Sequence, residues 1–243
     1  MNRNTRLTQI FIGSMVLAAT GSASYAGLDS YTLHPTQAAA LLALAAAASR
    51  MRVKLPGITA NMSVNLPFLL IAVISLSAVE ATAVACLSTV LQSLPKRGNK
   101  FKPELMLFNV SMMGFAASLA GLIWHAASEV KAARASDPLM LALATAVFFV
   151  GQTAPVAAIV TLTEAGLLGR NWLNIAQLSF PYYIVGAGVA AIMASVSHNL
   201  GWRTALAVFP VMYAIHRSYC VYFANAAETS RLAPLTRVAR AGI

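Results

Sequence analysis

The chain has 243 residues, 58% of them hydrophobic and 10% charged, with a formal net charge of +10 and a mean hydropathy of +0.70. A soluble domain carries about 25% charged residues, so this composition excludes an ordinary soluble globule. The basic residues stand in short clusters between apolar runs rather than along one soluble face, which excludes nucleic acid as the partner that explains the charge and leaves the lipid bilayer.

A helix that crosses a hydrocarbon core of about 30 Å needs about 20 mainly apolar residues. In chain order that template predicts eight spans, at about residues 7–26, 35–50, 61–78, 80–95, 104–125, 138–163, 178–198 and 202–223. The second and fourth are short and the turn at Ser77 to Glu80 is tight, so the third and fourth also read as a partly re-entrant pair, with seven or six spans as the fallback. The expected fold class is all-α: a polytopic transmembrane helical bundle over residues 1–226, followed by a disordered cytoplasmic tail over residues 227–243.

The first segment has a second reading as a secretory signal peptide, with Arg3 and Arg6 as its basic region and Ala23 to Ala26 as a small-residue cleavage site. With the N-terminus in the cytoplasm, only Lys131, Arg134 and Arg203 of the 17 Lys and Arg residues fall outside. An excess of Lys and Arg marks cytoplasmic loops, so both termini are expected there. The segment between Arg52 and Lys102 is then a helical hairpin pinned at both ends by its flanking charges. Trp124 and Trp202 fall near predicted outer ends and Tyr182 and Tyr183 near an inner one, as in an aromatic belt.

Small residues at helical spacing mark close helix contacts: Gly114, Ser118 and Gly121 on the fifth segment, Gly186, Ala190 and Ala194 on the seventh. Thr82, Cys86, Thr89 and Ser93 form a mildly polar stripe on the fourth, read as a packing face before a pore lining. Cys86 and Cys220 lie in apolar segments without a CxxC or Cys/His spacing, and read as buried small hydrophobes.

The residues that could carry function are few. Asn61 and Asn65 are expected on one face of the third helix. Asn109, Gln152 and Thr153 are deep in the fifth and sixth, and Pro67 and Pro155 free backbone carbonyls within helices. They form either a small uncharged-ligand pocket or an interhelical hydrogen-bond network, the network being the simpler reading. Glu80 is placed to cap the fourth helix, or alternatively to line a pocket that opens outward. No paired carboxylates, nucleophile with its base, phosphate loop or zinc spacing is present, so no enzyme activity, metal or cofactor is expected.

The strings "VKLPGITANMSVNLPFLLIAV", "SAVEATAVACLSTVLQSL", "LFNVSMMGFAASLAGLIWH", "FFVGQTAPVAAIVTLTEAG" and "FPVMYAIHRSYCVYF" occur in an order that resembles the MASE-type multi-helix membrane-associated sensor region. That region stands before HD-GYP or GGDEF domains in bacterial signalling proteins. The distinctive features are the basic-Leu-Pro-Gly entry at Lys54 to Gly57 and the Phe108-Asn109 pair, and the likeness covers about residues 36–223. It implies a helical input module whose last helix, at His216, Arg217, Tyr219 and Tyr222, couples to a cytoplasmic partner. No HD pair, GGDEF-like loop or coiled-coil linker follows Tyr222, so cyclic-di-GMP turnover is not assigned to this chain, and the resemblance implies an input module without an output or one that signals through a partner chain. The expected function is therefore a sensory module of the bacterial inner membrane, alone or as a homo-oligomer, acting on a cytoplasmic signalling enzyme. The rival class is transport, as a small-molecule transporter or the substrate-capture subunit of an importer, and a scaffold without ligand is the third.

Overall fold

The computed structural model describes residues 3–28, 33–54, 61–95, 101–129, 137–164, 166–200, 206, 208–214, 216–218 and 220–221. Among these residues seven helices run in order: α1 (Arg3–Ala26), α2 (Pro35–Ser49), α3 (Leu66–Ser75), α4 (Ala78–Ser93), α5 (Pro103–Glu129), α6 (Asp137–Glu164) and α7 (Leu168–Leu200). An eighth helical stretch, α8, covers described residues between 206 and 221. Between α2 and α3, β1 (Arg52–Lys54) pairs antiparallel with β2 (Asn61–Ser63), Arg52 opposite Ser63 and Lys54 opposite Asn61. The helical bundle is as expected, with this small ladder added.

Among the described residues four helices are long and apolar enough to cross a membrane: Arg6–Ala26, Pro103–Ala126, Pro138–Thr163 and Leu168–Val196. Helices α2, α3 and α4 are apolar but shorter. At 1.5 Å per residue the ten residues of α3 cover about 15 Å, half the hydrocarbon thickness. The predicted third span thus requires correction. Asn61 lies on a strand, and the helix begins at Leu66 because Pro67 occupies its first turn, where a missing N–H costs nothing. Asn61 and Asn65 accordingly do not share a helix face. Proline at 155 does sit inside α6.

Contacts between the helices set their directions. Phe11 meets Phe108, and Ser22 meets Ser118, so α1 and α5 run parallel. Cys86 lies against Gly114 and Ala78 against Gly121, so α4 runs antiparallel to α5. Helix α6 packs on α5 through Gly151 on Ala116 and Gln152 on Met113, and α7 opposes α6, through Asn171 on Thr161 and Tyr183 on Gln152. The seam at Gly114, Ser118 and Gly121 is therefore real, and it lets α4 and α1 approach α5 closely. The stripe on α4 packs here too, its Thr82 and Thr89 hydroxyls donating to their own helix at Ala78 O and Ala85 O.

One core surrounds α3: Phe68, Leu69 and Leu70 are buried with Leu41 of α2, Ala116 of α5, Phe148 of α6, Tyr182 of α7 and Met212 of α8. A second joins Ile12 and Met15 of α1 to Phe108 and Met112 of α5. Outside these, Ile10, Leu17, Leu143, Val150, Ile184 and Ile192 are exposed. Such an apolar girdle is a liability in water and an ordinary lipid face in a bilayer.

Helix α7 starts ten residues earlier than the predicted seventh span. The loop ends at Gly166, whose φ of 147° suits glycine, and Asn171 and Trp172 tie the first turns to α6. Tyr182 and Tyr183 therefore fall at mid-helix, 3% and 5% exposed, and not in an interfacial belt. The expected tail over residues 227–243 lies outside the described residues.

A Cβ at Gly121 would stand 3.0 Å from Ala78 Cβ and 3.2 Å from its Cα, whereas nothing lies within 4 Å of one at Gly13. Gly121→Ile should cost about 1–3 kcal/mol through overpacking. Thermal unfolding in detergent should show a lowered Tm for Gly121→Ile and little change for Gly13→Ala.

Candidate functional site

The polar residues singled out above do not form one pocket. Gln152, with partners that the sequence did not disclose, belongs to a polar chain of hydrogen bonds and one ring contact across the middle of the bundle, and Asn65 stands at its start. It begins where α3 starts. Asn65, 3% exposed, precedes the helix with φ −91° and ψ −10°, and its carbonyl accepts from Leu69 N–H at 3.2 Å. The Leu66 N–H has no partner within its own helix and donates to Tyr182 Oη on α7 at 3.0 Å.

Tyr182 and Tyr183 are sequence neighbours whose rings meet edge to face, centroids 6.2 Å apart. The Tyr183 hydroxyl donates to Gln152 Oε1 on α6 at 2.5 Å, and Gln152 Nε2 donates to Met113 Sδ on α5 at 2.9 Å. Thr153, next in sequence, faces elsewhere: its hydroxyl donates to Phe149 O at 2.8 Å and accepts Trp172 Nε1–H at 3.1 Å. Phe149 closes the group by meeting the Tyr183 ring edge-on at 4.8 Å.

Each link has a local cause. Gln152 is three residues before Pro155, whose ring cannot donate to the carbonyl of Gly151, so α6 is weakened where its side chain turns to a neighbour. A Cβ at Gly186 would stand 3.0 Å from Leu66 Cδ2, so glycine there lets α3 approach α7 within reach of Tyr182. Asn109 is one turn before Met113 on α5 and half-buried, with no part in these bonds.

Glu80 is held at the far end of the bundle. Its Oε2 accepts from Ser77 N–H at 3.3 Å and Ser77 Oγ–H at 2.9 Å, while Ser77 Oγ accepts Glu80 N–H, which completes a capping box on α4. Its Oε1 accepts His34 N–H at 2.7 Å and so ties the start of α2 to the start of α4. Of the two readings of Glu80, the cap is the one with bonds behind it. The break between α3 and α4 is sealed by His125, whose Nε2 lies 2.9 Å from Leu76 O.

On α8, His216 is half-buried beside Cys220 Sγ at 3.7 Å and Arg217 is exposed; Tyr219 and Tyr222 lie outside the described residues. Sequence reasoning missed Tyr182, Tyr183, Met113 and Trp172. The first two were visible as a pair of hydroxyls in an apolar run, but only a longer α7 places them at mid-span. The chain contains amide, hydroxyl, thioether and indole groups and no ionised one, so it can hold helices in register but cannot exchange a proton at neutral pH. Among the described residues no three His, Cys, Asp or Glu side chains converge as a metal site would require. No family model, curated protein or solved structure matches this chain.

Tyr183→Phe and Gln152→Leu should each destabilise the bundle, and together by less than the sum of the two. Interhelical hydrogen bonds in membranes average about 0.6 kcal/mol with a maximum of about 1.7 kcal/mol, which bounds the coupling expected from a double-mutant cycle in mixed micelles. Tyr182→Phe leaves the Leu66 N–H buried without an acceptor and should cost about 1–3 kcal/mol in the same assay.

Proposed function

We propose that this protein is a sensory input module of the bacterial inner membrane, which relays a ligand or bilayer signal to a cytoplasmic signalling enzyme. Its main support is the position of α3. At Leu66 this helix is bonded to Tyr182 and so to the polar chain through α7, α6 and α5. Two residues later Phe68 meets Phe209 of α8 with ring centroids 6.3 Å apart. A shift of α5, α6 or α7 therefore reaches α8 through one short rigid element, and α8 carries the coupling residues His216 and Arg217. Packed interfaces of this kind switch between discrete arrangements rather than deform continuously. The distribution of Lys and Arg supports cytoplasmic termini, which would present the end of α8 to a partner there.

The second reading, a transporter or importer capture subunit, draws on the same half-length helix. Broken helices that end at the bilayer midplane are a recurrent feature of transporters, where irregular backbone lines a substrate cavity. Here the Leu66 N–H, the two tyrosine hydroxyls and the Gln152 amide beside the break are engaged with protein partners, which favours coupling over solute binding.

The test is purification of the tagged chain from its native membranes in mild detergent, identification of the stoichiometric partner, and assay of that partner with wild type or Gln152→Leu at equal expression. The sensor reading expects a cyclase, phosphodiesterase or kinase whose turnover changes several-fold with the substitution. A transport ATPase as partner, together with solute uptake in proteoliposomes that Gln152→Leu abolishes, would replace it with the importer.

A further inference from the structure

A cleft of about 290 Å³ opens on the outer surface between α6 and α7, lined by Phe149, Ala176, Gln177, Phe180 and Pro181. Both helices are long and apolar enough to cross a membrane, and a cleft on their outer surface would then face lipid rather than water. Pro181 lies within α7 and cannot donate to the carbonyl of Gln177, which loosens the helix at the head of the cleft. We propose that this cleft and the adjoining first turns of α7 bind one anionic phospholipid, with an acyl chain along Phe149, Phe180 and Pro181 and the headgroup phosphate on Arg170.

Two independent features converge on that occupant. The first is register: positions 170, 174, 177 and 181 recur at intervals of four, three and four, so Arg170, Asn174, Gln177 and Pro181 share one face of α7, and all are exposed. Leu173, 51% exposed, continues the apolar floor between the cleft and Arg170. Eleven residues at 1.5 Å place Arg170 about 16 Å from Pro181 along the axis, close to the half-thickness of about 15 Å of the hydrocarbon core. A phospholipid with its phosphate at Arg170 thus ends its chain at the proline notch.

The second feature is charge. Arg170 is exposed and has no acidic partner among the residues whose side chains are described. A guanidinium binds phosphate through paired donors, and Asn174 adds an amide one turn away. A zwitterionic headgroup brings its own cation to the same place, so an anionic lipid is favoured, by about fivefold for one basic residue at a membrane surface. The inference does not rest on the signalling reading, although Phe149 adjoins both the cleft and the Tyr183 ring.

Trp172 is one turn before Ala176, and the chain has 3 tryptophans, so a Trp124→Phe/Trp202→Phe protein reports from this place alone. The full chain is reconstituted in phosphatidylcholine vesicles with increasing brominated phosphatidylglycerol or brominated phosphatidylcholine. Half-maximal quenching of Trp172 is expected at about fivefold lower mole fraction of the brominated phosphatidylglycerol. Arg170→Gln should make the two lipids equal, and Ala176→Phe should reduce quenching by both, with helix content unchanged by circular dichroism. Should Ala176→Phe not assemble, Gln177→Phe fills the same cleft from an exposed position. Equal quenching by both lipids in the parent, a preference that survives Arg170→Gln, or quenching indifferent to the filled cleft would each overturn the proposal.

Discussion

A backbone N–H inside hydrocarbon has no water to bond, and the buried hydrogen bond from Leu66 to the Tyr182 hydroxyl answers that constraint where α3 begins. Helix α3 begins in the middle of the bundle, where its first N–H groups lack partners of their own. Pro67 removes one of them, Tyr182 accepts another, and the Asn65 carbonyl takes that of Leu69. At the other end His125 meets the Leu76 carbonyl. A ten-residue helix can therefore stand inside the bundle with these terminal groups satisfied.

Much of the remaining arrangement follows from holding α3 there. Tyr182 must come within 3.0 Å of a backbone nitrogen, which needs the close approach that Gly186 allows. The adjacent Tyr183 then points to Gln152 at the weakened centre of α6, and Gln152 reaches Met113 on α5. Two neighbouring hydroxyls thereby connect a short inner helix with three long ones. On the far side Phe68 transfers the contact to Phe209, which makes α3 a spacer between the polar chain and α8. Sensory coupling of the kind proposed needs such a part, short enough to move as a unit and joined on both sides.

The lipid-facing surface follows a different logic. Girdle residues such as Leu17 and Ile192 have no partner to choose and need only be apolar. The cleft at Phe149 and Phe180 departs from that uniformity by combining shape with a nearby cation, and it lies one ring away from the polar chain.

Composition and periodicity alone determined that the chain is a membrane-embedded helical bundle, because the bilayer demands long apolar segments whatever their neighbours. Local chemistry likewise disclosed the Gly114, Ser118 and Gly121 seam, the cap by Glu80 and the polar centre at Gln152, since glycine spacing, a Ser-x-x-Glu pattern and an amide in an apolar run each have a direct physical meaning. Hydropathy could not reveal that Asn61 belongs to a strand or that Tyr182 and Tyr183 lie at mid-helix, and it left a full span and a partly re-entrant segment both open where α3 has ten residues. An apolar stretch reads the same whether its backbone is helical from Asn61 or from Leu66, and a tyrosine suits an interface as well as a core. Only the tertiary structure decided between them, because the deciding terms are contacts between residues far apart in the chain: Leu66 with Tyr182, Asn171 with Thr161, and Trp172 with Thr153.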